Sequence, residues 1–461
     1  MTSTTTTNPY LEGNYAPVTE EVTAFDLAVE GELPAELDGR YVRNGPNPSG
    51  EVDPETHHWF LGDGMVHGIR LGDGKAQWYR NRYVGSGALA ATIGRPDIEG
   101  PNWTGQQFGP NTNVGGWAGR TWAMVEAGGV PVELTDELES VCRNDFFGTL
   151  PGAFSAHPKF DAQRRELHAM CYAWPHWPDF VQYVVVGDDG LVKRTVDIEV
   201  PGMTMVHDMS LTERFAVLYD QPVTVDFDLV ATRPFPFSWN PDYGNRVGLL
   251  PRDGHADDIV WVDVPLGYCF HPLNAYDAVD GSVVLDLCLY DQIFADDRNG
   301  PFGEGGSSVG GLRLERWTID PERRTVSTTV IDDRANEFPR HNGAVGGLPY
   351  RYGYTTAPAW DAGAAWPTIK HDLTTGERTQ FDHGPGRAAG EPVFVARAAG
   401  DGSEDSVAED DGWLVMFVHD LGTESTDFVV LDAQDLGRGE VAKVKLPQRV
   451  PFGFHGNWIP S

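Results

Sequence analysis

Short apolar runs closed by turn-forming residues set the pattern of this chain. Examples are YVVVG (183–187), RFAVLYD (214–220) and SVVLDLCLYD (282–291), and each ends at Gly, Asp, Asn or Pro. Runs of this length, rich in β-branched and aromatic residues, are typical of β-strands bounded by tight turns. The later runs WLVMFVHD (413–420) and DFVVLDA (427–433) repeat the same texture, so strands are predicted along the whole chain.

The turns between these runs indicate antiparallel hairpins. Gly-Asp-Asp-Gly at 187–190 and Asp-Gly at 280–281 each separate two strand-like runs, as hairpin loops do. Amphipathic segments with the spacing of strand-helix-strand units are missing from the sequence. The pattern therefore predicts an all-β fold, either a sandwich array or a β-propeller. We favour the propeller, although the sequence shows no strict repeat.

Length and local composition predict one large folded unit. Residues 1–24 are Thr-rich and polar, which is typical of a flexible N-terminal arm. Residues 25–461 are expected to form a single domain, because closed all-β folds often run this long. The Gly-, Pro- and aromatic-rich segments 84–112, 223–254 and 292–311 interrupt the strand rhythm and are expected to cap one face.

The net charge and the cysteine content limit which binding partners and which cellular compartment are expected. The net charge of -34 disfavours nucleic acids and anionic lipids as partners. A solvated acidic surface is enough to explain this charge, and we assign it no catalytic role. Four cysteines at 142, 171, 269 and 288 lack any CxxC pairing, so no disulfide scaffold or zinc ribbon is indicated. The N-terminus lacks the basic and apolar regions of a leader peptide, and a cytoplasmic location is predicted.

Four of the 14 histidines stand beside apolar or small residues at the ends of strand-like runs. They are His157 in SAHPKF, His207 in TMVHDMSL, His271 in CFHPLNAYD and His455 in FGFHGNWIP. Their wide separation fits one ligand from each of several propeller blades. Imidazole suits iron, copper, nickel and zinc alike, so the residues alone leave the metal open. Four neutral ligands would leave two free positions on an octahedral ion.

Motifs spread along the chain resemble the carotenoid cleavage oxygenase family. They include GRYVRNGPNP (39–48), WFLGDGMVHG (59–68), NTNV (111–114), NEFPR (336–340) and GEPVFV (390–395), together with the histidine segments above. The resemblance covers nearly the whole sequence. It implies a seven-bladed β-propeller, with a cap of loops and short helices over one face, that holds Fe(II) on its axis. The four iron ligands would be His157, His207, His271 and His455.

The same resemblance places three carboxylates behind these histidines: Glu126, Glu337 and Glu391. A carboxylate in that position accepts the outward N–H of a ligating imidazole, fixes its tautomer and offsets the charge of the metal. Thr112, in NTNV, falls where the family has a small side chain near one open metal position. There it would orient O2 or block that position.

The remaining histidines are given no ligand role. His67 in GDGMVHG is interpreted as the structural end of a strand. The other nine lie in segments interpreted as polar loops or hairpins, or precede an aspartate.

The resemblance implies an Fe(II)-dependent dioxygenase that uses O2 to cleave a C=C bond of a carotenoid or apocarotenoid into two carbonyl products. GxSxG, P-loop and HExxH motifs are absent, which disfavours serine hydrolases, P-loop nucleotidases and zincins. Phe60, Phe270 and Phe454 stand near the ligands and are expected to wall an apolar substrate tunnel. Plain core packing explains these three phenylalanines equally well.

Two alternatives stay open. Stilbene- and phenylpropenoid-cleaving members of the family bind a phenol through a lysine next to the first glutamate, whereas this chain has Val125 there. That difference favours carotenoid-like substrates over an isoeugenol-like alkene. A metal-free binding scaffold is the non-enzymatic alternative, because propellers often serve as interaction platforms. We expect a monomer, and segment 229–239 fits either a peripheral membrane contact or a buried cap loop.

Overall fold

The computed structural model describes residues 8–102, 109–295, 311–358, 365–397 and 408–461. Its strands, numbered β1–β33 in chain order, form eight sheets: seven are the blades of a β-propeller, and the eighth is a separate two-stranded hairpin. This confirms both the all-β fold and the seven blades. The predicted hairpin turns at 187–190 and 280–281 join neighbouring antiparallel strands, as expected.

The first four blades follow the chain. Blade 1 contains β1 (Thr23–Leu27), β3 (Gly39–Pro46), β4 (Gly64–Gly72), β5 (Lys75–Tyr83) and β33 (Gly456–Pro460). Blade 2 contains β6 (Asn113–Trp117), β7 (Arg120–Met124), β8 (Val132–Leu134) and β9 (Ser140–Arg143). Blade 3 contains β10 (Lys159–Asp161), β11 (Glu166–Cys171), β12 (Phe180–Gly187) and β13 (Val192–Glu199). Blade 4 contains β14 (Met209–Leu211), β15 (Phe215–Asp220), β18 (Arg246–Pro251) and β19 (Val260–Asp263).

The last three blades complete the circle. Blade 5 contains β20 (Tyr268–Asp277), β21 (Val283–Tyr290), β22 (Arg313–Asp320) and β23 (Thr325–Asp332). Blade 6 contains β24 (Glu337–Arg340), β25 (Tyr352–Thr356), β26 (Thr368–Asp372) and β27 (Glu377–Phe381). Blade 7 contains β2 (Val29–Gly31), β28 (Arg387–Ala389), β29 (Val393–Ala396), β30 (Gly412–Asp420), β31 (Ser425–Asp432) and β32 (Glu440–Lys445).

Both ends of the chain close the propeller. The last strand, β33, pairs with β3, with Gly39 opposite Pro460. The early strand β2 pairs with β32, with Val29 opposite Val444. Blades 1 and 7 therefore each combine N-terminal and C-terminal strands, which joins the two ends of the chain within the ring of blades.

Apolar side chains fill the spaces between blades. Between blades 4 and 5, for example, Val217 and Leu249 pack in one cluster with Leu285 and Trp317, all four fully buried. Burying one such side chain contributes about 1.5–3 kcal/mol. These interfaces hold the inner strands rigidly around the axis.

Two of the three predicted insertions contain elements outside the blades, although residues 246–251 of the second form β18 of blade 4, so that part of the cap prediction was wrong. Segment 84–112 contains α1 (Gly87–Ile93), the one α-helix of the described residues, which Ser86 caps by accepting the N–H of Leu89. Segment 223–254 contains the hairpin of β16 (Val223–Val225) and β17 (Phe237–Trp239) and the 3-10 turn Pro241–Tyr243. Most of the third insertion lies outside the described residues. Other 3-10 turns are Pro9–Leu11, Gly13–Tyr15, Ala256–Asp258, Gly343–Val345 and Leu436–Arg438.

The described part of the N-terminal arm, from residue 8, lies against the propeller. Tyr10 is buried against Trp59, and the side chain of Asn8 donates to the carbonyl of His57 at 2.9 Å. The flexibility assigned to residues 1–24 and the domain boundary at residue 25 stay predictions. Within the described residues, no helix combines the length and the apolar character that crossing a bilayer requires.

Candidate metal centre and the two cavities beside it

Seven of the predicted site residues occupy equivalent places in the seven blades. Each lies within or just before the first residues of an innermost strand. In blade order they are His455, Thr112, His157, His207, His271, Glu337 and Glu391. Innermost strands converge on the axis of a propeller, so residues far apart in sequence meet there. Glu126 is the exception, because it follows the second strand of blade 2, β7.

The four histidines form one buried cluster. One ring nitrogen from each of His157, His207, His271 and His455 lies within 4.8 Å of the others. The Nε2 atoms of His207 and His271 are 3.2 Å apart. Nitrogens about 2.1 Å from a common ion would lie about 3.0 Å apart when adjacent and about 4.2 Å apart when opposite. The spacing therefore fits a four-histidine metal site.

Three of the four imidazoles bond to the three predicted carboxylates. His207 Nδ1 lies 2.9 Å from Glu126 Oε1 and His455 Nδ1 lies 3.0 Å from Glu391 Oε1. His271 Nδ1 lies 2.6 Å from Glu337 Oε2. A carboxylate accepts from Nδ1–H, which leaves each Nε2 with a lone pair that faces the cluster. Lone pairs only 3.2 Å apart repel each other unless a cation lies between them, which supports a metal here.

Further hydrogen bonds orient the carboxylates. Tyr290 donates its hydroxyl to Glu337 Oε1 at 3.0 Å, and the N–H of Phe338 donates to Oε2 at 2.7 Å. The N–H of Gly456 donates to Glu391 Oε2 at 2.8 Å. Although burial raises the pKa of Glu391, Arg340 and the hydrogen bonds lower it to about 2. Glu391 is therefore ionised.

Local irregularities in two strands aim the site residues inward. In β20 the pairing register shifts between Cys269 and Pro272, on either side of His271. In β24 it shifts between Glu337 and Arg340, and Phe338 there has a φ of 51°. A bulge of this kind bends a strand and redirects a side chain, and bulges are common beside functional sites.

Burial keeps two of the imidazoles neutral. The pKa of His455 is lowered to about 4, mainly by burial, and Glu391 only partly opposes the shift. Burial and the neighbouring histidines lower the pKa of His157 well below its usual value. Neutral imidazole is the form that binds a metal.

His157 differs from the other three histidines. Its Nδ1 lies 3.8 Å from Asp208 Oδ2, beyond hydrogen-bonding distance, and its Nε2 is buried without a partner. Asp208 is almost fully buried and forms an ion pair of 2.8 Å with Lys159 Nζ. Sequence reasoning did not single out Asp208 or Lys159. The sequence did offer one signal: Asp208 directly follows His207, and Lys159 stands two residues after His157.

An apolar cavity of about 310 Å³ lies on one side of the cluster. It is lined by His207, His271 and His455, by Thr112 and Val125, and by the three phenylalanines expected at a tunnel wall: Phe60, Phe270 and Phe454. Sequence reasoning missed Trp174, and it considered Phe235 and Phe237 only as part of segment 229–239. We call this space the substrate cavity.

A second and larger cavity, of about 820 Å³, reaches the cluster from another side. Residues from the innermost strands of all seven blades line it, so it follows the propeller axis. We call it the axial cavity. Its polar lining includes Lys159, Asp208, Arg340, His341 and Asn457.

The other histidines of the described residues stand outside the cluster. His67, in β4, forms a hydrogen bond of 2.9 Å with the hydroxyl of Tyr79. His168, His371 and His419 are buried within strands β11, β26 and β30. His168 lies in the hairpin of β10 and β11, and His371 and His419 each precede an aspartate, as interpreted from the sequence, but the sequence did not reveal that the three side chains are buried.

Comparisons with known proteins agree with this geometry. Residues 15–460 match the family model described as retinal pigment epithelial membrane protein. The carotenoid cleavage oxygenase of Mycobacterium tuberculosis is 45% identical, with 98% of both chains covered. The carotenoid 9,10(9',10')-cleavage dioxygenase of Crocus sativus is 32% identical over 98% of this chain and 89% of its own.

Solved structures show the same fold. Cobalt-substituted apocarotenoid oxygenase from Synechocystis has a TM-score of 0.84 at 26% identity, covering 96% of this chain and 97% of its own. Lignostilbene dioxygenase from Pseudomonas brassicacearum has a TM-score of 0.87 at 28% identity, covering 98% of both.

Proposed function

The chain belongs to the carotenoid cleavage oxygenases, a family of non-haem iron oxygenases, and we propose that it uses Fe(II) and O2 to cleave a C=C bond of a carotenoid or apocarotenoid into two carbonyl products. The observation that carries the proposal is the buried cluster of four histidines at the wall of an apolar cavity. Such a site combines a metal position with a space suited to a conjugated hydrocarbon.

His157, His207, His271 and His455 would hold the iron through their Nε2 atoms. Glu126, Glu337 and Glu391 keep three of these rings in the tautomer that presents Nε2 to the metal. Three carboxylates also offset the dication, since the four ligands are neutral. When bound, Fe(II) supplies the redox chemistry that activates O2 for attack on the alkene.

The protein's own contribution is to position the substrate and exclude water. Phe60 packs edge-to-face against Phe270 and Phe454, with ring centroids 6.1 and 5.5 Å apart. Interlocked rings give the cavity a fixed apolar wall, which aligns a polyene and keeps bulk water away from it. No acid, base or nucleophile among the lining residues is required for this reaction.

We assign Thr112 to one open position of the metal. It lines the substrate cavity, and its hydroxyl donates to Asn111 Oδ1 at 3.0 Å. That hydrogen bond holds the side chain in place, so Thr112 would orient O2 or block the position.

A stilbene or phenylpropenoid such as isoeugenol is the second candidate substrate. The similarity to lignostilbene dioxygenase favours it, and a cavity lined by aromatic side chains suits an aromatic ligand. Val125 lies in the cavity wall beside Glu126 and offers no hydrogen bond to a phenol. This absence favours a carotenoid-like substrate.

The test is direct turnover by the iron-loaded protein. Apocarotenals, stilbenes and isoeugenol are incubated separately with the anaerobically loaded enzyme and O2, and the carbonyl products are identified by mass spectrometry. We expect two aldehydes or ketones from an apocarotenal and little product from the phenols. Absence of cleavage in every incubation, with iron bound at one ion per chain, would overturn the proposal.

The monomeric state, the cytoplasmic location and peripheral membrane contact stay predictions. In segment 229–239, Phe235 and Phe237 line the substrate cavity, whereas Val230 is exposed. Gel filtration and vesicle co-sedimentation test the first and the third.

A further inference from the structure

Two cavities meet at the four-histidine cluster, and the axial cavity has more polar and charged side chains in its lining than the substrate cavity. The substrate cavity contacts His207, His271 and His455, whereas the axial cavity contacts His157, His271 and His455. His157 is thus the histidine that faces only the axial side. For a metal ion that binds after the propeller has closed, these two spaces are the routes that the described residues offer.

The chemistry of the walls favours the axial cavity for a hydrated cation. Its lining offers the oxygens of Asp208, Glu391, Asn457 and Ser210, although Lys159 and Arg340 there pair with the two carboxylates. A divalent ion keeps its water and finds oxygen ligands along such a surface. The substrate cavity is lined mainly by aromatic and apolar side chains, and its two carboxylates, Glu126 and Glu337, are bonded to His207 and His271, so a dication would lose much of its hydration along most of that wall.

His157 is also the least restrained of the four rings. The other three bond through Nδ1 to carboxylates at 2.6–3.0 Å. The nearest carboxylate oxygen to His157 Nδ1 belongs to Asp208, at 3.8 Å, and Asp208 is already engaged by Lys159. A ring without a direct hydrogen bond turns about its side-chain bonds more easily than a ring that has one.

We propose that the metal ion reaches the four-histidine site through the axial cavity, and that the ring of His157 turns aside to admit it. The positive charge of Lys159, beside Asp208, limits the rate at which a cation passes. This inference rests on the metal site of the proposed function. It separates the two sides of the cluster: substrate uses one cavity and metal uses the other.

The test measures the rate of Co²⁺ uptake by the metal-free protein, followed by stopped-flow from the visible absorption of the bound ion. Ala344 is exposed and lines the axial cavity, so Ala344→Cys provides an attachment point there. A methanethiosulfonate that carries a trimethylammonium group adds bulk and positive charge after folding. We expect uptake to slow by about tenfold, because a cation is repelled from its route.

Removal of the adduct and matched control variants distinguish a block of the axial cavity from other effects of the modification. Reduction of the mixed disulfide should restore the original rate, and an adduct that carries a sulfonate should slow uptake less than the cationic one. Pro234 is exposed and lines the substrate cavity, so Pro234→Cys with the same cationic adduct is the control and should keep its rate within about twofold. Treated wild-type protein accounts for any reaction at Cys142, the native cysteine that is not buried.

Lys159 gives a second, independent readout. Lys159→Met should take up Co²⁺ severalfold faster than the wild type, whereas Lys159→Arg, which keeps the charge, should not. Slower uptake from the Pro234→Cys adduct, or no effect of the Ala344→Cys adduct, would overturn the inference. Failure of the metal site on which the inference rests looks different, since the wild-type protein would then bind no stoichiometric Co²⁺, and failure of the proposed cleavage reaction would leave Co²⁺ uptake unchanged.

Discussion

At the scale of single residues, the pairing of each histidine with its outer partner determines what the ring can do. A carboxylate at Nδ1 leaves Nε2 as the acceptor atom, and at His455 burial also keeps the ring neutral. For His455, the partner is Glu391, itself held ionised by Arg340 and by the backbone of Gly456. Metal affinity should therefore depend on residues that never contact the metal.

His455→Ala should abolish stoichiometric metal binding, because one of four ligands is lost. The structure should otherwise persist, since the substitution leaves β33 in place. Metal content is measured by ICP-MS after anaerobic Fe(II) loading. His255→Ala, at an exposed histidine outside the cluster, is the control and should bind one iron per chain. If His455→Ala bound as much iron as the wild type, His455 would not be a metal ligand.

Glu391→Gln should weaken metal affinity by about 10–100-fold, since loss of an outer carboxylate lowers the basicity of its histidine. Competition with a chelator of known affinity gives the dissociation constant. Glu440→Gln alters a carboxylate 4.0 Å from another buried histidine, His383, and should leave metal affinity unchanged. Equal dissociation constants for Glu391→Gln and the wild type would argue against this role.

Val125→Lys should shift the preference of the enzyme towards phenolic stilbenes. The new ammonium group in the wall of the substrate cavity can donate a hydrogen bond to a phenol, which valine cannot. The ratio of kcat/KM for a hydroxystilbene and an apocarotenal measures the change. Val125→Met, without a donor, serves as the control, and an unchanged ratio in Val125→Lys would show that another residue controls this selectivity.

At the scale of elements, close backbone contacts between strands and loops fix the positions of the inner strand ends. Gly64 begins β4 and lies directly against the carbonyl of Pro110, which also accepts a hydrogen bond of 3.0 Å from Asn44. Pro110 leads into Thr112 and the innermost strand of blade 2. Only glycine permits this approach, because a Cβ would overlap the Pro110 carbonyl.

Gly64→Ala should therefore lower the free energy of unfolding by about 1–3 kcal/mol, the usual cost of overpacking. Denaturant unfolding followed by tryptophan fluorescence measures the change. Gly343→Ala is the matched control, since a Cβ at Gly343 meets no atom within 4 Å. Equal stability of Gly64→Ala and Gly343→Ala would show that the loop moves aside without cost.

The sequence predicted strands and turns well, because local runs such as 183–187 carry the strand pattern within a few residues. It also supplied the four histidines and three glutamates, through the motifs around them. It could not supply what depends on three-dimensional closure. The pairing of β33 with β3, the inward bulge at His271 and the ion pair of Asp208 with Lys159 join segments that only the assembled propeller brings together.

At the scale of the whole molecule, the propeller places one residue from each blade around a common point. Four blades contribute histidines, two contribute glutamates and one contributes Thr112. A metal bound there links blades 1, 3, 4 and 5, in addition to the packing and the ion pairs that already join neighbouring blades, such as Arg252 with Asp161. Metal binding should therefore stabilise the entire fold.

Saturating Co²⁺ should raise the unfolding midpoint of the metal-free protein. Binding to the folded state alone contributes about 2.7 kcal/mol at a free metal concentration 100 times the dissociation constant. Differential scanning fluorimetry with and without Co²⁺ measures the shift. His455→Ala should show none of it, and an equal shift in that variant would place the stabilising metal elsewhere.

The most direct test of the central claim is a crystal structure of the Fe(II)-loaded protein, with anomalous diffraction collected on both sides of the iron K-edge. We expect a single strong iron peak on the propeller axis, within about 2.0–2.3 Å of the Nε2 atoms of His157, His207, His271 and His455. An iron peak away from these four atoms, or no peak in crystals of protein shown to contain iron, would contradict the account.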